Sequence, residues 1–350
     1  MENIKPNREE KIIYSLRNLY MANGYRQFKM SKFEEYDLYS KNKDFLISEG
    51  IITFTDNTGK LLALKPDVTF SIIKNSTDIK DYVKRVCYNE NVYRLSDSHD
   101  FTEIMQSGIE CIGAIDTYNV CEVLSLAKKS LELISDEYVL DISHLGFVEG
   151  LLLDAGVESY DEVLKCIGEK NCHGLKALLG EKSTRLEKLV SLYGSFAEVL
   201  PALSELDVNA QTHAALEELK TIGSVLDSEG IKLDFSVVSS MNYYNGIVFK
   251  GFVSGVPNAV LSGGRYDKLM KKLSKKSGAL GFAVYHDRLK YLDREKAQGT
   301  KPVLILYNDK TDPRVVSEEK NRLMSEGVFF DIQKCVVNDD GYLKVIDLRA

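Results

Sequence analysis

The sequence predicts an α+β protein, in which helices flank an antiparallel sheet. Segments rich in β-branched and aromatic residues, several of them joined by short turns, concentrate in residues 1–146 and 231–292. Between them, residues 147–230 place apolar residues at spacings of three and four, which is the helical period. A charged segment ending in Gly-Thr-Lys-Pro then leads to residues 302–350. We therefore predict a sheet domain split by a helical insertion, followed by a small C-terminal β-α-β-β unit.

The composition is that of a soluble globular protein. The 350 residues are 44% hydrophobic and 28% charged, and this length predicts two or three domains. No apolar run approaches the ~20 residues of a membrane span, and residues 1–11 lack the apolar stretch of a secretory signal. The six cysteines include no CxxC pair. We therefore expect reduced thiols, a cytoplasmic location, and neither a metal nor a cofactor.

The charge balance bears on the class of partner. The formal net charge is −7, which does not favour nucleic-acid binding through a broad basic surface. A local basic patch stays compatible with this balance.

The first predicted elements are a helix and a hairpin. Residues 7–23 form an amphipathic pattern, with Asn7 placed to cap the helix and Glu10 three residues later. Residues 51–55 and 60–64 then alternate as two strands around Asp-Asn-Thr-Gly.

The segment LKPDVT closes this hairpin. On chemistry alone, Asp67 or Thr69 is the N-cap of a following helix, because both side chains can accept a hydrogen bond from a free backbone N–H.

A polar row marks the next hairpin. Residues 82–93 and 103–115 read as strands, and on the second one Gln106, Gly108 and Glu110 share a face because side chains alternate. Ionisable groups on a central strand are costly unless they meet a partner. Since glycine leaves space between the two polar side chains, we predict a small polar ligand in the gap.

The stretch from Asn242 to Arg288 organises the rest of the chain. Predicted strands at residues 243–253 and 259–262 lead into Gly-Gly-Arg265-Tyr266-Asp. The two glycines let a ligand approach the backbone, beside a guanidinium, a phenol and a carboxylate. Periodicity alone fits an ordinary antiparallel sheet with a glycine turn about equally well.

These segments, in this order, resemble the histidyl-tRNA synthetase family of class II enzymes over nearly the whole chain. The matching segments are LKPDVT, EIMQSGIE, YYNGIVF, GGRYD and GFA followed by an arginine. The resemblance implies the class II synthetase-like fold and a histidine pocket, in which Asp67 and Thr69 hold the α-ammonium. The residues that it places in the pocket are Asp67, Thr69, Gln106, Glu110, Tyr244, Arg265 and Tyr266. It also implies a homodimer formed through the MSKFEEYDLY segment, and a C-terminal unit about half the size of the family's anticodon-binding domain.

Departures from the family pattern fall on the ATP half of the site. Ser239 stands where the family has the arginine that stabilises the reacting carboxylate and α-phosphate, and removing such a cation costs roughly 3 kcal/mol or more of barrier. Thr102 replaces the second arginine of motif 2, and Tyr285 replaces a small glycine beside the adenine. Arg94 and Arg288 remain, with an uncertain role.

A synthetase-type site that keeps its histidine-binding residues and lacks residues of its ATP-binding part resembles the ATP phosphoribosyltransferase regulatory subunit family. That resemblance implies a non-catalytic subunit of histidine biosynthesis that binds L-histidine and regulates a short-form catalytic subunit in a hetero-octamer. It implies no tRNA ligand. Two alternatives stay open: an active histidyl-tRNA synthetase, and a tRNA-binding or other interaction module without a small ligand.

Overall fold

The computed structural model describes residues 7–40, 50–79, 81–95, 100–157, 159–238, 243–293, 302–335 and 341–349. The chain divides into two compact units, one of residues 7–290 and one that contains the described residues from 291 onward. Among the described residues, no helix combines the length and the apolar character that a membrane span requires.

The strands and helices of the described residues are numbered in chain order. Strands β1 to β15 are Arg26–Gln27, Phe33–Glu35, Thr53–Thr55, Leu61–Leu64, Val83–Leu95, Phe101–Gly113, Tyr138–His144, Tyr193–Gly194, Ile231–Asp234, Ile247–Val253, Leu261–Arg265, Gly278–Tyr285, Val303–Leu306, Phe330–Gln333 and Lys344–Asp347. Helices α1 to α13 are Arg8–Ala22, Tyr36–Ser40, Val68–Lys74, Thr117–Ile134, Leu145–Asp154, Asp161–Gly168, Cys172–Leu179, Thr184–Ser191, Phe196–Glu205, Ala210–Val225, Asp267–Lys272, His286–Leu289 and Pro313–Ser325.

The first unit is built on a large sheet with the strand order β1-β5-β6-β12-β11-β10-β7-β9-β8. The central strands from β5 to β7 pair antiparallel. The outer pairs β1–β5 and β7–β9 are parallel, because the intervening chain passes through further elements before it returns to the sheet. The predicted α+β class is confirmed, with a mixed sheet in place of a wholly antiparallel one.

Helices α1 and α4 cover one face of this sheet. The predicted Asn7 cap is present, and Glu10 completes the capping box. Tyr20 of α1 is fully buried, its hydroxyl pairs with Ser130 Oγ of α4 at 3.0 Å, and its ring packs edge-on against Phe282 at 5.9 Å. Because side chains alternate along β12, the residues on either side of Phe282 point to the opposite face.

A small three-stranded sheet and helix α3 lie over that opposite face. The small sheet has the order β2-β4-β3, and α3 follows β4 directly. Asp67 caps α3, since its Oδ1 accepts a hydrogen bond from Phe70 N at 2.8 Å. Ile72 and Ile73 of α3 are fully buried in a core that also contains Tyr88 and Tyr266. This packing fixes the N-terminus of α3 above the large sheet.

Between β7 and β9 the chain is mainly helical and consists of α5 to α10 with one short strand. Strand β8, Tyr193–Gly194, was not predicted; it pairs with β9 at the sheet edge. In the second unit, β13 lies between β14 and β15, all three parallel, and Leu323 of α13 packs on Val303 and Ile305. In chain order this unit reads strand, helix, strand and strand.

Candidate functional site

A cavity lies on the face of the large sheet opposite α1 and α4. Its empty space is about 370 Å³, including the open mouth, and it is narrow, because most of that space is too close to the walls to hold a water molecule. The lining residues are Asp67, Thr69, Arg94, Gln106, Glu110, Tyr243, Tyr244, Ser262, Tyr266, Gly281, Phe282, Ala283 and Tyr285.

Glu110 of β6 stands at the centre of the polar lining. It is 1% exposed, its Oε1 accepts a hydrogen bond from Thr69 Oγ1 at 2.6 Å, and its Oε2 accepts one from the Tyr266 hydroxyl. Burial raises the pKa of Glu110 to about 8; the two hydroxyls oppose this shift, and the nearby Asp67 carboxyl adds to it. The carboxyl can therefore gain or lose a proton near neutral pH.

Gly281 makes space for the Glu110 side chain. The two residues are directly paired between β12 and β6. A Cβ atom built on Gly281 would overlap with Glu110 Oε2 and with the backbone oxygen of Ile109. Only glycine at this position leaves the carboxyl group where Thr69 and Tyr266 reach it.

The Gly281→Ala substitution is therefore expected to lower the free energy of unfolding by about 2–3 kcal/mol, because the methyl group must displace a buried carboxyl or the sheet backbone. Thermal or urea unfolding measures this change. Gly168→Ala is the matched control, since its Cβ would lie 3.4 Å from Val238, an ordinary contact. Equal stability of the two variants would contradict this role of Gly281.

Asp67 and Arg94 are charged residues of the cavity lining. The second oxygen of Asp67 lies 3.9 Å from Arg94 Nη2, too far for a hydrogen bond. Arg94 is oriented instead by its Nε, which donates to Pro66 O at 2.8 Å. Burial raises the pKa of Asp67, and the Arg94 charge opposes that shift. The pair leaves both a carboxylate oxygen and a guanidinium edge available to a ligand.

Three tyrosines supply the aromatic wall. The ring centres of Tyr243 and Tyr244 are 4.6 Å apart, and those of Tyr243 and Tyr266 are 5.9 Å apart. Burial raises the pKa of all three phenols well above the usual value. They therefore stay neutral and can offer hydrogen bonds as well as apolar surface.

The other end of the cavity is closed by Tyr285. Its hydroxyl pairs with Ser262 Oγ at 2.6 Å. The guanidinium carbon of Arg288 lies 4.3 Å from the centre of the Tyr285 ring, and Arg288 Nη1 donates to Ala259 O. A side chain held from two directions forms a defined wall.

The structure brings together most of the residues singled out in the sequence. Six of the seven pocket residues predicted by resemblance line the cavity, and so does Arg94. Arg265 is not among these lining residues. Ser262 and Tyr266 face the cavity, so the alternation along β11 turns Arg265 to the other face, where its Nε donates to Asp267 Oδ2 at 2.7 Å. Arg288 does not line the cavity either and acts on it only through Tyr285. Ser239 lies outside the described residues.

Several lining residues were missed from the sequence. Ser262 could have been found, because alternation along β11 directs it to the same side as Tyr266, which directly follows the strand. Gly281 could not, because its importance depends on the pairing of two strands far apart in sequence.

The charge of the cavity defines the ligand that it can accept. Two buried carboxyl groups, Asp67 and Glu110, face one arginine among the lining residues. Groups of three or more His, Cys, Asp or Glu side chains that could hold a metal ion are absent from the described part of the chain. A small ligand that carries an ammonium group, further N–H donors and a single anionic group fits this lining best.

Comparisons with known proteins show which family the chain resembles. The family model described as histidyl-tRNA synthetase matches residues 3–289. The ATP phosphoribosyltransferase regulatory subunit of Acetivibrio thermocellus is 30% identical over 327 residues, which cover 87% of this chain and 77% of the relative. A crystal structure of an ATP phosphoribosyltransferase regulatory subunit/histidyl-tRNA synthetase from Bacillus halodurans C superposes with a TM-score of 0.76 and 25% identity, covering 100% of this chain and 97% of that one.

A further structural likeness concerns the fold alone. A chain of the ATP phosphoribosyl transferase (HisG:HisZ) complex from Thermotoga maritima matches with a TM-score of 0.63 and 20% identity. The match covers 80% of this chain and 98% of that one.

Proposed function

The chain belongs to the histidyl-tRNA synthetase family and, within it, to the ATP phosphoribosyltransferase regulatory subunits, and we propose on this premise that it is a histidine-binding regulatory subunit without catalytic activity of its own. The observation that carries the proposal is Glu110, buried in the cavity with Thr69 and Tyr266 donating to its two oxygens.

We propose one orientation of L-histidine in the cavity. The α-ammonium group pairs with the free oxygen of Asp67 and with Thr69, because an ammonium needs acceptors. The imidazole N–H donates to Glu110, whose carboxylate can accept further hydrogen bonds beyond the two that it already receives. The α-carboxylate then points to Gln106, which lies opposite Tyr285 in the sheet.

The lining of the cavity also supports a non-catalytic role. Activation of an amino acid with ATP needs several cations to clamp the phosphates and to stabilise charge in the transition state. Arg94 is the one Lys or Arg side chain among the lining residues. The Tyr285 side chain occupies space at the other end of the cavity. Ser239, where the family has its arginine, fits the same proposal.

The name of the relative implies a catalytic partner, which we propose for this chain as the short-form ATP phosphoribosyltransferase, in a hetero-octamer. Residues 1–146 and 231–292 form the histidine-binding domain and dimerise through the segment around residues 30–39, whereas residues 147–230 and 302–350 are accessory. Histidine regulates the partner if it binds one state of the complex more tightly than the other, and a coupling of about 1–3 kcal/mol is sufficient.

Calorimetric titration of the full chain, alone and with its catalytic subunit, tests the proposal. We expect saturable binding of L-histidine, no binding of L-glutamine or L-phenylalanine, and inhibition of the catalytic subunit only when both the chain and histidine are present. ATP–pyrophosphate exchange with histidine should be undetectable. Exchange activity would establish an active synthetase instead, and tRNA retention without histidine binding would establish the interaction module.

A further inference from the structure

Two cations lie near the Tyr285 end of the cavity without lining it. Lys250 of β10 is half-buried and lies directly opposite Ser262 in the sheet, while Arg288 stacks on the Tyr285 ring. Burial lowers the pKa of Lys250, and the Arg288 charge adds to the shift. We call Lys250 and Arg288 the cationic annex.

The cationic annex has one carboxyl group beside it in the sheet, that of the buried Asp141 of β7, which lies directly opposite Lys250. Even so, among the residues that the structure describes, neither Lys250 nor Arg288 forms an ion pair with a carboxylate. Two like charges beside each other in a half-buried place repel, and an anionic group between them would relieve that repulsion. The cavity is thus acidic at the Glu110 end and is followed, beyond the tyrosine, by a place suited to an anion.

We propose that Tyr285 is a partition that restricts the site to free amino acids and excludes ligands extended at the carboxylate. The inference rests on the proposed function, which directs the α-carboxylate of histidine to the end formed by Gln106 and Tyr285. A ligand with one more residue on that carboxylate must displace the Tyr285 ring. Displacement loses the hydrogen bond to Ser262 and the contact with Arg288.

The partition also predicts what its removal permits. Without the ring, an extended ligand can pass Ser262, and its terminal carboxylate comes within reach of the cationic annex. The ligand class that gains entry is therefore a small peptide or amide with N-terminal histidine and a terminal anionic group.

Titration of the full chain with L-histidine and with L-histidyl-glycine tests this inference. The wild-type chain should bind L-histidine and discriminate against the dipeptide by ~100-fold or more, within the range that steric and polar mismatches provide. Tyr285→Ala should bind the two ligands within about threefold of each other. Tyr285→Phe keeps the ring and loses only the Ser262 bond, so it should retain most of the discrimination.

The outcomes separate this inference from the proposed function. Failure of the wild-type chain and its complex to bind L-histidine overturns both. L-histidine binding with equal acceptance of the dipeptide by the wild type overturns the partition alone, and so does undiminished discrimination by Tyr285→Ala. When Lys250→Met is added to the Tyr285→Ala variant, the affinity for the dipeptide should fall about tenfold, while the affinity for L-histidine should stay unchanged. An equal fall in both affinities would contradict a role for the cationic annex.

Discussion

Glu110→Gln is expected to weaken L-histidine binding by about 10- to 100-fold, the loss that follows from removing a charge-assisted hydrogen bond of about 1.5–3 kcal/mol. The amide has one acceptor oxygen, so it cannot accept from Thr69, Tyr266 and a ligand N–H together. It also carries no charge to balance a cationic ligand. Calorimetry at pH 8, where about half of the Glu110 carboxyls are ionised in the empty cavity, measures the difference directly.

A matched control lies on the same strand. Glu103 of β6 is exposed and accepts from Tyr93 at 2.9 Å, away from the cavity. Glu103→Gln should bind L-histidine as the wild type does. In the complex with the catalytic subunit, Glu110→Gln should also remove histidine inhibition while activity without histidine persists. Unchanged affinity in Glu110→Gln would remove the main support for the proposed function.

The parts of the site that depend on local rules could be predicted from the sequence. Alternation along one strand placed Gln106 and Glu110 on a common face, and both line the cavity. Asp67 was open to two interpretations, a helix cap and a site residue. The structure shows that it caps α3 with one oxygen, while the other lies 3.9 Å from Arg94 in the cavity lining, so the cap is compatible with the proposed site role.

The parts that depend on pairing between distant segments could not be predicted. The space for Glu110 comes from Gly281, which is 171 residues away in the chain and adjacent only in the sheet. Arg265 shows a different limit. Resemblance to a family predicts it in the pocket, whereas alternation along β11 turns its side chain toward Asp267. A role of Arg265 in the pocket stays a prediction.

Glu110 also couples the site to stability. A buried carboxyl that must ionise destabilises the fold, and the side-chain hydrogen bonds that Glu110 receives in the described structure come from two neutral hydroxyls, those of Thr69 and Tyr266. In the unfolded chain the carboxyl has its ordinary pKa near 4.5, whereas in the fold its pKa is about 8. Between these values the unfolded state releases the proton and the folded state keeps it. As the pH rises from 4.5 to 8, the contribution of Glu110 to the free energy of unfolding therefore falls by about 1.4 kcal/mol per pH unit. Above pH 8 this contribution does not fall further.

Glu110→Gln should therefore stabilise the same chain whose ligand binding it weakens. The amide resembles the protonated acid, so the variant and the wild type should have similar free energies of unfolding near pH 4.5. The variant should become more stable as the pH rises, by at most about 5 kcal/mol at pH 8. Urea unfolding at pH 5, 6, 7 and 8 without histidine measures the difference, with Glu103→Gln as the control that shows no such trend. A difference that stays constant across these pH values would mean that Glu110 has an ordinary pKa. Opposite effects of one substitution on stability and on affinity would identify Glu110 as a residue kept in the fold for its ligand.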